Sequence, residues 1–214
     1  MNYQVLNLWL ILQAVLSYNL SMTTKIFLHG GNSGKNSDNN SEFFYEVINS
    51  VDSNDVNILC VYFARPDHRW EDSYAEDQSI FYSLDTPKAI QTKMATYDKE
   101  KLLNQIKIAD VIFINGGMKG HLMEALEGLG NFSELIIGKV VVGISAGANI
   151  LTKYYYSSVS KGVREGMGLL PIKLLTHYTD QDDDNKLKLL MDYKEKLPLL
   201  KIAEEDFLIL ELPT

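Results

Sequence analysis

Short apolar runs rich in β-branched residues alternate along the chain with longer segments of helical periodicity, beginning at Thr24. Such runs predict strands buried on both faces, and the longer segments between them predict helices. We expect strands at 25–29, 56–63, 109–115 and 139–144, with a short one within 87–92. We expect helices at 41–50, 99–108 and 122–129, with a loop and then a helix within 65–83. This order predicts an α/β fold, a three-layer sandwich with a mostly parallel central sheet.

Turns of small residues follow three of the predicted strands directly. Gly30-Gly31 ends the first strand, Gly116-Gly117 follows the strand at 109–115, and Ser145 follows the strand at 139–144. The carboxyl ends of parallel strands meet at one edge of a sheet, and functional loops gather there. We therefore expect these three turns to line a single functional edge.

Ser145 is the centre of a Gly-x-Ser-x-Gly sequence that lies between a predicted strand and the helix-compatible segment 148–155. A serine at such a turn has a strained backbone, so small residues are needed two positions away on either side. Gly143 and Gly147 meet that requirement. The hydroxyl then projects over the sheet edge, and the N–H of Ala146 points to where an oxyanion would form. The pattern predicts a nucleophilic serine; the alternative is a glycine-rich turn whose serine caps the helix.

A nucleophilic serine needs a general base, and the chain has four histidines. Three of them end a strand, lie in a polar loop or open a helix, namely His29, His68 and His121. His177 follows the apolar run 169–175, so it is predicted at a strand end downstream of Ser145. A neutral imidazole there would accept the serine proton and return it to the leaving group, which favours His177 as the base.

Length and the first residues define the expected domain. A chain of 214 residues suits one domain with a sizeable core. Leu6 to Leu16 is mostly apolar, but the first positive charge is Lys25, so a signal peptide's charged start is missing. The run is also short for a membrane span. We expect an N-terminal extension at 1–21 and a single domain at 22–214.

Charge and cysteine usage narrow the partners. A net charge of −8 disfavours nucleic acid and anionic membranes, because both need a cationic face. The single cysteine, Cys60, lies in an apolar run, which predicts a buried thiol and a reducing, cytoplasmic setting. The sequence has no Cys/His cluster of the kind that binds zinc, so we expect no metal. A monomer and a homodimer both stay open.

Several motifs together resemble one known family. Gly143-Ile-Ser-Ala-Gly-Ala-Asn149, Gly166-Met-Gly-Leu-Leu-Pro171 and His177 resemble the aspartyl dipeptidase (peptidase E) and cyanophycinase family of serine peptidases. The family's Gly-Gly-Asn turn has its counterpart in Asn115-Gly116-Gly117-Met118. The resemblance extends from Lys25 to a closing strand at 206–212. It implies the class I glutamine amidotransferase-like fold, which is flavodoxin-like in architecture.

The same resemblance implies an activity. The protein would be a serine-type hydrolase, a peptidase or dipeptidase that cleaves small peptides through an acyl-enzyme on Ser145. His177 would be the general base, the amides of Gly117 and Ala146 would form the oxyanion hole, and no cofactor is needed. Substrate binding is assigned to Gly116, Met118 and Arg65, with His68, Arg69 and Lys119 as further groups able to bind a carboxylate.

Two departures from the family pattern concern the site. Met118 stands where the family usually has asparagine, which changes the polar surface near the substrate. The acid that completes the triad is expected before the Gly-Leu-Leu-Pro segment, but 151–162 contains no Asp or Glu. Glu165 is the only acid between Ser145 and His177, so we predict it as the group that orients the imidazole. Asp180, Asp182 and a Ser–His dyad are the alternatives.

Two other functions compete with this interpretation. Phe27-Leu-His-Gly-Gly31 resembles the oxyanion motif of α/β-hydrolase esterases, but His177 follows Ser145 by only 32 positions, which leaves little room for that fold. A non-catalytic, amidotransferase-like binding protein would explain the missing acid. A glutaminase is disfavoured, because its elbow nucleophile is cysteine.

Overall fold

The computed structural model describes residues 23–117, 121–181 and 183–212, so the extension at 1–21 and Met118 lie outside the described residues. The strands are β1 (Thr24–His29), β2 (Asp55–Val61), β3 (Ala89–Met94), β4 (Val111–Ile114), β5 (Val140–Ile144), β6 (Thr152–Ser157), β7 (Gly162–Glu165), β8 (Leu170–Thr176), β9 (Leu199–Ile202) and β10 (Phe207–Leu212). The α-helices are α1 (Asp38–Asn49), α2 (Trp70–Ser83), α3 (Lys99–Ile108), α4 (Leu122–Glu127), α5 (Phe132–Leu135), α6 (Ala146–Leu151) and α7 (Asp184–Asp192), and a 3₁₀ turn covers Asp67–Arg69.

The central sheet has six strands in the order β10-β1-β5-β4-β2-β3, and only the pairing of β10 with β1 is antiparallel. Alternate residues of a strand face opposite layers. Phe27 accordingly packs with the layer that contains α1, whereas Ile26 and Leu28 pack with the layer that contains α3. The predicted mostly parallel α/β fold is therefore confirmed, with helices covering both faces of the sheet.

One face of this sheet is packed with aromatic rings. Phe113 of β4 is fully buried, and its ring contacts Phe44 at 5.9 Å and Phe81 at 5.2 Å between centroids. The Phe81 pair is edge-to-face, which aromatic quadrupoles favour. These contacts fasten α1 and α2 to the centre of the sheet.

A second sheet of four strands, in the order β7-β6-β8-β9, is a feature that the sequence pattern does not predict. The helix-compatible segment 148–155 stays helical only to Leu151, so the expectation for its second half is wrong. Three tyrosines at 154–156 favour a strand over a helix, and the Thr152 hydroxyl donates to the Asn149 carbonyl at 2.8 Å where the helix ends. This sheet matters for function because β8 leads directly into His177.

The first helix also begins earlier than predicted. Ser37 is the N-cap of α1, and its side chain accepts a hydrogen bond from the Asn40 N–H at 3.3 Å. Ser41, the predicted cap, lies inside the first turn and donates to the Ser37 carbonyl at 3.0 Å.

Within the described ranges, no helix is long and apolar enough to cross a bilayer.

Phe113→Ala should lower the free energy of unfolding by about 3–5 kcal/mol, because it leaves a cavity between the sheet and two helices. Ile108→Ala is the matched control, since Ile108 is 71% exposed on α3 and its truncation should cost about 0.5 kcal/mol or less. Urea denaturation of both variants measures the difference. Equal costs would contradict the assignment of Phe113 to the core.

Candidate active site

Ser145 lies directly after β5 in a strained backbone conformation, with φ of +51° and ψ of −107°. The turn is as tight as its glycines suggest. A Cβ at Gly143 would approach the Ala148 nitrogen to 2.6 Å, and one at Gly147 would approach the Ile114 carbonyl oxygen to 2.3 Å. Larger residues therefore do not fit at either position, and the strand-to-helix elbow holds the Ser145 hydroxyl at the carboxyl edge of the central sheet.

His177 faces this hydroxyl. The Oγ of Ser145 and the Nε2 of His177 are 2.6 Å apart, close enough for the hydroxyl to donate to the ring nitrogen. His177 follows β8 directly and has a φ of +54°, a conformation that is costly for a residue with a side chain. The second sheet thus delivers the imidazole to a serine that the first sheet presents.

The carboxylate behind His177 is Glu204, in the turn between β9 and β10. Its Oε1 is 3.1 Å from Nδ1, the ring nitrogen that faces away from Ser145. With the proton on Nδ1, the ring donates to Glu204 and leaves Nε2 free to accept from the serine. The side chains of His177 and Glu204 are 40% and 53% exposed, so water reaches this pair.

Glu165, the acid predicted from the sequence, is elsewhere. It lies on β7, exposed, and its carboxylate pairs with the ammonium of Lys194. Asp180 accepts from the Tyr178 hydroxyl at 2.7 Å, and Asp182 lies outside the described residues. The prediction of Glu165 assumed an acid between serine and histidine in the chain. In the structure, the carboxylate near the His177 Nδ1 is that of Glu204, which lies 27 residues after His177.

The Gly30-Gly31 turn packs against the histidine ring. A Cβ at Gly31 would lie 2.2 Å from the His177 Cε1, and the φ of Gly31, +136°, independently favours glycine. A Cβ at Gly30 would lie 1.8 Å from the Ala203 carbonyl oxygen, beside Glu204. The turn can approach both groups closely only because neither residue carries a side chain.

His29 stabilises the Gly30-Gly31 turn, a role that the sequence does not predict. Its ring is fully buried, its Nδ1 accepts from the Gly31 N–H at 3.1 Å, and its Nε2 donates to the Asn40 side-chain oxygen at 3.0 Å. Burial lowers the pKa of His29, so the neutral ring that these two bonds require is favoured. From the sequence, His29 is only a histidine at the end of a strand. That pattern does not distinguish a buried histidine that holds a turn from a catalytic base.

Two backbone segments lie beside Ser145 where an oxyanion would form. Ala146 begins α6, and N–H groups of a helix's first turn have no intrahelical acceptor. Gly116 and Gly117 follow β4, and a Cβ at Gly116 would lie 3.0 Å from the Cβ of Ser145. Gly117 is equally confined, since its Cβ would lie 2.2 Å from the Ala64 carbonyl oxygen. The two predicted donor segments therefore both lie next to Ser145.

A cavity of about 960 Å³ opens over these groups. Its lining includes Tyr155 and Tyr156 of the β6–β7 hairpin, together with Arg65 and Arg69. None of the described residues that line it is acidic. His68 is exposed on the 3₁₀ turn outside this lining, and Lys119, like Met118, lies outside the described residues.

Comparison with known proteins assigns this arrangement to a family. The sequence matches the model of peptidase family S51 from residue 22 to residue 211. The chain belongs to peptidase family S51. This membership confirms the peptidase E resemblance and makes the protein a serine peptidase.

Solved structures agree with this S51 peptidase in fold. A peptidase from an acI-B1 Actinobacterium superposes with a TM-score of 0.69 at 20% identity, covering 91% of this chain and 86% of that one. A putative peptidase E protein from Listeria monocytogenes EGD-e superposes with a TM-score of 0.61 at 17% identity, covering 88% and 95%. No curated protein matches the sequence significantly.

Behind the Gly116-Gly117 turn, the S51 domain buries a carboxyl group. Asp77 accepts from the Tyr62 hydroxyl at 2.8 Å and from the Asn115 side-chain N–H at 2.6 Å. Burial raises the pKa of Asp77 to about 6, although these hydrogen bonds and the nearby Arg65 act in the opposite direction. The sequence predicts no role for Asp77, because an acid within a helix carries no signal of burial.

This shift predicts how stability depends on pH. Between about pH 4 and pH 6, folded Asp77 retains a proton that the unfolded chain has lost, so its contribution to the free energy of unfolding falls as pH rises. In Asp77→Asn that contribution is absent. Urea denaturation from pH 4 to pH 7 should show that wild type loses stability relative to Asp77→Asn. Parallel pH profiles would contradict the buried, raised carboxyl.

Proposed function

We propose that this S51 peptidase cleaves small peptides through an acyl-enzyme on Ser145, with His177 as the general base. The observation that carries the proposal is the 2.6 Å approach of the Ser145 Oγ to the His177 Nε2 at a strained elbow. A serine whose role was to cap the helix would not need to lie against an imidazole. The α6 N-cap position at Ser145 in fact makes no side-chain capping bond.

The proposed steps use groups of the chain and water. His177 takes the hydroxyl proton on Nε2 while the Ser145 Oγ attacks the scissile carbonyl carbon. The carbonyl oxygen becomes an oxyanion, held by the N–H groups of Gly117 and Ala146. The imidazolium then protonates the leaving amine, and the C–N bond breaks to leave an ester on Ser145. Water, deprotonated by the same Nε2, hydrolyses that ester and restores the serine.

Glu204 is the proposed orienting acid. By accepting from the Nδ1 of His177, it selects the tautomer whose Nε2 can receive the serine proton and stabilises the imidazolium that forms. Because the pair is about half exposed, water shares this role, and the effect should be smaller than in a fully buried triad.

The lining of the cavity supports the proposal that the substrate is a short peptide with an acidic group. Two guanidinium groups and no described carboxylate line it, so a substrate carboxylate would be attracted there. Arg69 is the more available of the two, since its side chain is 51% exposed and its nearest carboxylate, Asp72, is 4.0 Å away. Gly116 would contact the substrate through its backbone.

The single, buried thiol of Cys60 supports a reducing, cytoplasmic setting.

A fluorophosphonate probe tests the nucleophile. We expect the wild-type protein to be labelled at Ser145, because the probe is attacked by an activated serine and its phosphoryl oxygen occupies the oxyanion site. Ser145→Ala should abolish labelling, as peptide mapping by mass spectrometry would show. Labelling that persists in the alanine variant would remove Ser145 from the mechanism.

Paired substitutions test which acid orients the imidazole. Glu204→Gln should reduce kcat for peptide hydrolysis on the order of 10²-fold, less than the roughly 10⁴-fold loss at a buried triad acid. Glu165→Gln, which neutralises a carboxylate bound to Lys194 on the surface, should change kcat by about twofold or less. The reverse order of effects would restore the sequence-based choice of Glu165.

A further inference from the structure

Arg65 lines the cavity, yet most of its hydrogen-bonding capacity is directed into the protein. Its Nε donates to the Gly116 carbonyl at 3.0 Å, its Nη2 to the Asn115 side-chain oxygen at 3.0 Å, and its Nη1 to the Ser73 hydroxyl at 3.0 Å. Two of these three bonds go to the turn that follows β4. A substrate carboxylate would therefore have to compete with the protein's own backbone for this guanidinium.

The bond to the Gly116 carbonyl has a direct geometric consequence. The carbonyl of Gly116 and the N–H of Gly117 belong to one planar, trans peptide unit, so they point in opposite directions. Fixing the oxygen on Arg65 therefore fixes the N–H in the opposite direction within the same plane. A cation on the carbonyl also polarises the peptide and makes its N–H a stronger donor.

Asn115 is held in one orientation by groups of opposite character. Its side-chain oxygen accepts from Arg65, and its side-chain N–H donates to Asp77. An amide rotated by half a turn would set its N–H against the guanidinium and its oxygen against the carboxylate, so only one orientation is favourable. Asn115 and Asp77 are both buried, and the backbone N–H of Asn115 is bound to the Val61 carbonyl at 2.9 Å.

Burying a carboxyl group costs free energy of folding, and the contacts of Asp77 indicate its role. Its hydrogen bonds reach Tyr62 at the end of β2 and Asn115 at the end of β4, and both elements also pack on the aromatic face of the sheet. Neither the serine nor the imidazole contacts it. The carboxyl therefore anchors the side chain that, with Arg65, determines where the Gly116–Gly117 peptide lies.

We propose that Arg65, Asn115 and Asp77 are positioning residues for the oxyanion hole, which hold the Gly116–Gly117 peptide so that its N–H faces the cavity beside Ser145. This inference rests on the proposed function. It reassigns Arg65 from a direct substrate contact to the positioning of the catalytic backbone.

The test measures labelling by a fluorophosphonate in two parts, the saturable binding constant KI and the limiting rate kinact. Arg65→Lys retains the positive charge, but one ammonium lacks the planar fork of three nitrogens with which the guanidinium reaches its three separate acceptors. We therefore expect kinact to fall about 10- to 100-fold while KI changes by about twofold or less. Asp77→Asn, which can still accept from Asn115, should lower kinact by a smaller factor. Asp110→Asn is the matched control, because Asp110 accepts from Asn57 at the opposite edge of the sheet and should leave kinact unchanged.

Hydrogen exchange separates this inference from the proposed function. Mass spectrometry should show faster amide exchange at Asn115 and Gly116 in Arg65→Lys and Asp77→Asn, but not in Asp110→Asn. Faster exchange with an unchanged kinact, or a raised KI with an unchanged kinact, would overturn the positioning role. Unchanged exchange in both variants would also overturn it. A wild-type protein that is never labelled at Ser145, yet shows the exchange differences, would instead locate the failure in the proposed function.

Discussion

Three consecutive carbonyls at the end of β1 connect every part of the proposed triad. The carbonyl of His29 accepts from the Ser145 N–H at 2.9 Å, that of Gly30 from His177 at 3.1 Å, and that of Gly31 from Glu205 at 2.9 Å. Each of these donors is a triad residue or the neighbour of one. The spacing of nucleophile, base and acid is therefore set by the backbone of one strand and its turn. The absence of side chains at both glycines is what allows that approach.

This arrangement explains how two strained backbone positions are maintained at the site. Ser145 and His177 both have positive φ angles, which L-residues adopt at a cost of about 1–3 kcal/mol each. The carbonyl bonds from β1 and the packing of the elbow against β4 offset that cost. The serine comes from the central sheet and the histidine from the second sheet, so the two sheets must be joined for the pair to exist. The carbonyls of Gly30 and Gly31 bind residues that follow the strands of the second sheet, so this turn is one of the contacts that join the two sheets.

Much of this could be predicted from the sequence, and the failures have identifiable causes. The parallel strands and the elbow were predictable because continuous apolar runs and small flanking residues are local signals. The β6–β7 hairpin was not, because Tyr154 to Tyr156 directly follow a helical segment, and the local pattern does not show that they pair with β7 and β8. Glu204 was missed for a similar reason: chain order does not constrain which carboxylate reaches an imidazole. Roles that depend on burial, as for His29 and Asp77, carry no local pattern at all.

In the proposed mechanism, the Ser145 hydroxyl, the His177 imidazole and two backbone N–H groups act on one carbonyl. The most direct measurement is a crystal structure of the protein after reaction with a fluorophosphonate. We expect a phosphorus–Oγ bond on Ser145, with the phosphoryl oxygen within about 3 Å of the amide nitrogens of both Gly117 and Ala146. An adduct on another residue, or a phosphoryl oxygen turned away from both amides, would contradict it.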